Sequence, residues 1–131
     1  MRRLLIAIAV IEVSAGAALL GFPSATVSLL FGSSLTPPSM APVRLVAAAL
    51  LALGIANWLA SRRAQGRGAR VVVAAMTAYN FGAALALGVV GIVAWPGGLV
   101  LWPAVALHTV MTVWCVVSLL GLKTLISEND K

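Results

Sequence analysis

The stretch Ser61-Arg62-Arg63-Ala64-Gln65-Gly66-Arg67-Gly68-Ala69-Arg70 decides the fold, because apolar blocks over residues 43–60 and 71–94 flank it directly. Each block has about the 20 residues that a helix needs to cross a hydrocarbon core roughly 30 Å thick. A short basic segment between two such blocks reads as a cytoplasmic loop, since Lys and Arg set which side of the membrane a loop occupies.

Working outward, a third apolar block covers residues 4–21 and a fourth covers 99–122, followed by a polar tail over 123–131. The expectation is an all-α integral membrane protein, a four-helix bundle forming a single transmembrane domain over residues 1–131. The charges test the number of spans. With four, Arg2, Arg3, Arg62, Arg63, Arg67, Arg70, Lys123 and Lys131 all fall on one side, and Arg44 alone falls on the other. Three or five spans would scatter them. The agreement places the N-terminus and the C-terminus in the cytoplasm.

Composition fits this reading. The chain of 131 residues is 62% hydrophobic and 9% charged, with a mean hydropathy of +1.09. A water-facing domain carries roughly 25% charged residues. The net charge of +6 does not indicate nucleic acid, because the basic residues cap apolar blocks instead of covering one folded face. The single cysteine, Cys115, cannot close an intramolecular disulfide. Arg2-Arg3 followed by residues 4–11 resembles the start of a secretory leader, but Glu12 would interrupt its apolar region, so a first span is expected.

Within the connections, Phe22-Pro23-Ser24 breaks the first block, because proline lacks a donor and restricts the residue before it. Residues 25–32 are then too few to span. They fit either a short interfacial helix or a kinked extension of the first helix. Pro37-Pro38 marks a loop, and Trp95-Pro96-Gly97-Gly98 a tight turn. Trp95 and Trp102 fall at the outer interface and Trp58 at the inner one, where amphipathic rings prefer to sit. Trp114 lies deeper and is expected to be a packing residue instead of an anchor.

Lipid tails are as apolar as leucine, so helices must associate by close packing and polar contacts. The expected seams are Ala9, Glu12 and Gly16 on the first helix, and Ala47, Gly54 and Asn57 on the second, with Leu50 between them. On the third they are Ala84, Gly88 and Gly91.

The polar residues within the spans are the functional candidates. Glu12 lies nine residues past Arg3, roughly 13 Å along a helix and close to mid-membrane. An acid there costs at least about 2.5 kcal/mol, so it should face the bundle, paired or protonated. Arg44 is its partner by charge, although a stretched one. Asn80 lies ten residues past Arg70 and follows Tyr79, and His108 lies ten residues past Gly98. Glu12, Arg44, Asn80 and His108 therefore form the candidate ligand-binding cluster. Tyr79, Thr112 and Cys115 are secondary candidates, since His108, Thr112 and Cys115 share a helix face at i, i+4 and i+7. Two readings compete. The groups either bond one another and fix helix register, or line a pocket for a lipophilic molecule such as a quinone or a lipid.

No catalytic set is evident. Ser14 and Ser118 are helix serines with no nucleophile elbow around them. One histidine without a CxxCH motif does not make a haem or metal site, and no charge ring or filter motif indicates a channel. The sequence argues against an enzyme.

Several short patterns occur together: Glu12 with Gly16, Leu30-Phe31-Gly32 after a proline, Arg44-Leu45-Val46-Ala47-Ala48-Ala49-Leu50-Leu51, and Gly54-Ile55-Ala56-Asn57-Trp58. Tyr79-Asn80 and residues 101–108, from Leu101-Trp102-Pro103 to His108, complete the set. It resembles small four-helix bacterial membrane proteins of the DoxX-like kind and related families, most without an assigned role. The resemblance implies a four-helix bundle in a bacterial cytoplasmic (inner) membrane, and in some such proteins an association with quinone-linked sulfur oxidation. Cys115 stands alone, which departs from a thiol-redox role. The expected function is that of an accessory or structural subunit, or a binder of a lipophilic small molecule. A quinone-linked redox accessory and a small oligomeric transporter using Glu12 are the alternatives. Expected partners are the lipid bilayer and either a larger membrane protein complex or further copies of the chain. No cofactor is expected beyond a quinone or a lipid.

Overall fold

The computed structural model of the chain describes residues 1–64, 66–93 and 97–129, with residues 122–129 described by backbone alone. Every regular element among them is helical: α1 (Arg2–Gly21), α2 (Pro23–Phe31), a single 3-10 turn (Pro37–Ser39), α3 (Met40–Ser61), α4 (Arg67–Val93) and α5 (Leu101–Asn129). Four segments are long and apolar enough to cross a membrane: Arg2–Gly21, Pro37–Ser61, Arg67–Val93 and Leu101–Gly121. They coincide with the four apolar blocks, and the protein is a multi-pass membrane protein with a four-helix bundle. The backbone of α5 stays helical to Asn129, into the stretch expected as a tail.

The helix ends follow local chemistry. Pro23 cannot continue α1, and Phe22 leaves the helical region at φ −132° and ψ 58° while its N–H donates to the Ala18 carbonyl. Pro23 then opens α2 at a position where a missing N–H costs nothing. The Thr26 hydroxyl fastens the break by donating to the carbonyls of Phe22 and Ala18, at 2.9 and 3.2 Å. Residues 23–31 are thus a helix in their own right. Gly32 ends α2 with φ +69°, a left-handed value that a side chain would strain.

α2 lies across the outer end of the bundle, in contact with α1, α3 and α5. The Gly98 and Val100 N–H groups donate to the carbonyls of Leu30 and Leu29 at 3.1 and 2.9 Å. Gly98 permits this approach, because a Cβ there would run into the Leu29 carbonyl and the Leu30 backbone.

The bundle is two close pairs, α1 with α3 and α4 with α5. In the first, a Cβ on Gly16 would come within 2.9 Å of the Ala47 carbonyl, and one on Gly54 within 3.1 Å of the Ala9 carbonyl. These glycines bring two backbones together, as expected. In the second pair the expected seam is corrected in part. Gly91 packs under Trp102 and Leu101, but a Cβ on Gly88 would meet nothing within 4 Å among the described residues. The two pairs join at the arginine-rich end. There Leu4, Leu5 and Ile8 of α1 form one apolar core with Ala69, Val73 and Met76 of α4 and with Met111 and Cys115 of α5.

Large apolar side chains cover the outside of every long helix, among them Val10, Leu45, Phe81, Ile92 and Val113. Such a surface suits lipid and would be an association liability in water. Trp114 belongs to it, being 42% exposed. The buried residues of α5 include Met111 and Cys115, and Trp114 points to the flank of their stripe. Of the other tryptophans, Trp102 and Trp58 are half exposed, and Trp95 lies outside the described residues.

Candidate functional site

Directly above the apolar core, one layer holds four of the seven candidate side chains. On α1, Glu12 faces inward because it continues the buried stripe of Leu5, Ile8 and Ala9. It is 3% exposed. On α4, Asn80 continues the stripe of Ala69, Val73 and Met76 and is 2% exposed. Tyr79 sits beside it, partly buried, with its ring turned between the pairs.

The contacts link three helices. The Tyr79 hydroxyl donates to Glu12 Oε2 at 3.3 Å, from α4 across to α1. The Tyr79 ring meets the His108 ring of α5 edge to face, with centroids 5.9 Å apart and planes at 81°. His108 Nδ1 lies 2.9 Å from Asn80 Oδ1.

The direction of that last bond follows from its neighbour. Asn80 Nδ2 donates to the Met76 carbonyl at 2.8 Å. A carbonyl only accepts, so the other amide atom is the oxygen, and His108 Nδ1 must carry the proton. In the neutral ring Nε2 is then an acceptor, and it has no protein partner among the described residues.

The remaining candidates are not brought into the layer. Arg44 is exposed on α3, and the expected Glu12–Arg44 pair does not form. The reason is register. Gly16 lies beside Ala47 and Leu51, and Gly54 beside Ala9 and Val13, so Glu12 is level with residues 51–55 of α3. Arg44 is seven or more residues farther out, about 10 Å or more at 1.5 Å per residue. The Thr112 hydroxyl donates to the His108 carbonyl at 2.8 Å, within its own helix. Cys115 is buried in the apolar core below the layer.

Among the described residues, two buried polar residues lie outside the candidate set, Asn57 and Ser61, and the Ser61 hydroxyl donates to the Trp58 carbonyl of its own helix. Asn57 was expected as part of a small-residue seam, yet it is fully buried on the face of α3 that also carries Leu53 and Ala60. Its Nδ2 donates to the Leu53 carbonyl at 2.8 Å, and its Oδ1 is buried without a partner among the described residues. Its signal was available, since any asparagine inside an apolar block needs partners for its donors and acceptor.

Among the described residues, no group of three His, Cys, Asp or Glu side chains is placed to hold a metal ion. The arrangement is therefore a polytopic helical bundle with a hydrogen-bonded polar layer at mid-depth. No protein-family model, curated protein or solved structure matches this chain.

Proposed function

We propose that the chain is a non-enzymatic accessory or structural subunit of a bacterial inner membrane, of the DoxX-like kind that its short motifs resemble. The observation that carries the reading is the pairing within the polar layer: Glu12 with Tyr79, and His108 with Asn80. The Glu12–Tyr79 bond fixes how the two helix pairs meet, and the His108–Asn80 bond fixes α4 against α5, at a worth of roughly 0.6 kcal/mol for each bond between helices. Such a layer serves register instead of turnover. Partners, a larger membrane complex or further copies of the chain, would dock on the apolar outer face.

The test replaces the layer by apolar side chains of similar shape, as Glu12→Leu, Tyr79→Phe, Asn80→Leu and His108→Phe in one chain. The expected result is a folded bundle that restores a deletion strain and still co-purifies with its partner in mild detergent. A folded variant that fails to complement would show that the layer does chemistry, and would end this reading.

One observation favours a second reading, a quinone-linked accessory. His108 Nε2 is an acceptor without a protein partner, beside the edge of an aromatic ring. An acceptor there suits the hydroxyl of a quinol better than the carbonyl of a quinone. Solvent extracts of the purified protein should then contain a quinone species that His108→Ala depletes. An undiminished extract from that variant would sink the idea.

A further inference from the structure

The α1–α3 pair has two features that the polar layer does not use. At the arginine-rich end, a cleft of about 1020 Å3 opens between the start of α1 and the end of α3, lined by Arg2, Arg62, Arg63 and Trp58. Beyond it, toward mid-membrane, a groove of about 290 Å3 runs between the same helices, with Val10, Val13 and Ile55 as walls and Gly54 in the floor. Trp58 lines both, so the two are continuous past its ring.

We propose that this continuous cleft and groove bind one anionic phospholipid of the leaflet at the arginine-rich end. The charge argues for the headgroup. Three guanidinium groups converge on the cleft, and none meets a carboxylate among the described residues. Guanidinium is the side chain best matched to a phosphate, offering paired donors in a fixed fork. The groove argues for the acyl chain, because its walls are hydrocarbon and already lie against lipid: Val10 and Ile55 are more than half exposed. Trp58 stands between the two, with an apolar ring and a single N–H donor, the chemistry that favours the headgroup boundary. The groove is a by-product of the glycine contact. Gly54 lets the helices touch, and the groove runs along that line of contact between the exposed side chains of Val10 and Ile55. The site stands apart from the polar layer and does not depend on its role.

The test uses the full chain in nanodiscs of equal phosphatidylcholine and phosphatidylglycerol, with bound lipids counted by native mass spectrometry after release. The wild type should retain one phosphatidylglycerol in preference to phosphatidylcholine. The double variant Arg62→Gln/Arg63→Gln should lower that retention roughly fivefold for each arginine removed. Arg67→Gln/Arg70→Gln removes the same charge from positions that do not line the cleft, and should retain the lipid. Val10→Trp or Ile55→Trp fills the groove without changing charge and should also weaken retention. Equal loss in both arginine pairs would overturn the proposal in favour of bulk surface attraction. Unchanged retention in both groove-filling variants would overturn it in favour of a phosphate site that needs no acyl chain.

Discussion

The seam between α1 and α3 and the seam between the two helix pairs are built on opposite principles. Within the pair, Gly16 and Gly54 remove side chains so that backbones touch. Between the pairs, large side chains do the joining: Leu4, Leu5 and Ile8 against Val73, Met76 and Met111, topped by the Tyr79–Glu12 bond. In a solvent as apolar as the protein interior, burial of hydrocarbon brings little gain, so shape and hydrogen bonds must hold helices together. The close seam depends on shape alone and the wide one on shape plus a polar layer. They should therefore fail in different ways.

The close seam should be the more fragile. Gly16→Val puts new carbon against the Ala47 carbonyl and the Leu51 backbone, and Gly54→Val puts it against Ala9 and Val13. Neither backbone can give without separating the helices, and overpacking of this kind costs about 1–3 kcal/mol. Unfolding in mixed detergent micelles should show a loss of that size for each. Stability unchanged in both would mean that α1 and α3 are not in backbone contact.

In the polar layer, the cost should depend on whether a partner is left behind. His108→Phe strands Asn80 Oδ1, whose amide nitrogen stays committed to Met76. Leaving a buried polar atom unpaired costs about 1–3 kcal/mol, whereas removing both partners can be nearly neutral. His108→Phe/Asn80→Leu should accordingly be more stable than His108→Phe alone. A double variant that is the less stable of the two would contradict the assigned bond.

A smaller effect separates the two partners offered for Glu12. A double-mutant cycle of Glu12→Ala with Tyr79→Phe should give a coupling near 0.6 kcal/mol, with a ceiling near 1.7. The same cycle with Arg44→Ala should be additive within about 0.5 kcal/mol, as for residues that do not touch. The opposite ranking would restore the ion pair.

Arg44 also shows where sequence reading stopped. Charge and span order were enough to place four helices, because apolar length and the sidedness of arginine act residue by residue. Depth was legible too: counting 1.5 Å per residue put Glu12, Asn80 and His108 in one layer, and hydrogen bonds and ring contacts join them there through Tyr79. Pairing was not legible, since it depends on the register of α1 against α3. That register is set by which glycines meet. Asn57 stands out in sequence as an amide inside an apolar block, but which groups surround it depends on the same register. The separateness of α2 was half legible. Pro23 announces a break, but the chain's return toward Gly98 depends on a backbone contact 68 residues away, between Leu30 and Gly98.

Gly88 gives the smallest effect and the sharpest control on the glycine argument. It stands three residues before Gly91 on α4, and from sequence alone the two belong to one seam. Yet a Cβ at Gly91 would meet Trp102 at 3.1 Å, while one at Gly88 would meet nothing within 4 Å among the described residues. If close approach is what makes a glycine necessary, Gly88→Ala should change stability by no more than about 0.5 kcal/mol. Gly91→Ala should lose more, since the Trp102 ring must move to admit the methyl group. A Gly88→Ala loss as large as that at Gly54 would mean that α4 has a further contact on that face, and that the apolar outer surface is occupied by a helix from outside this bundle.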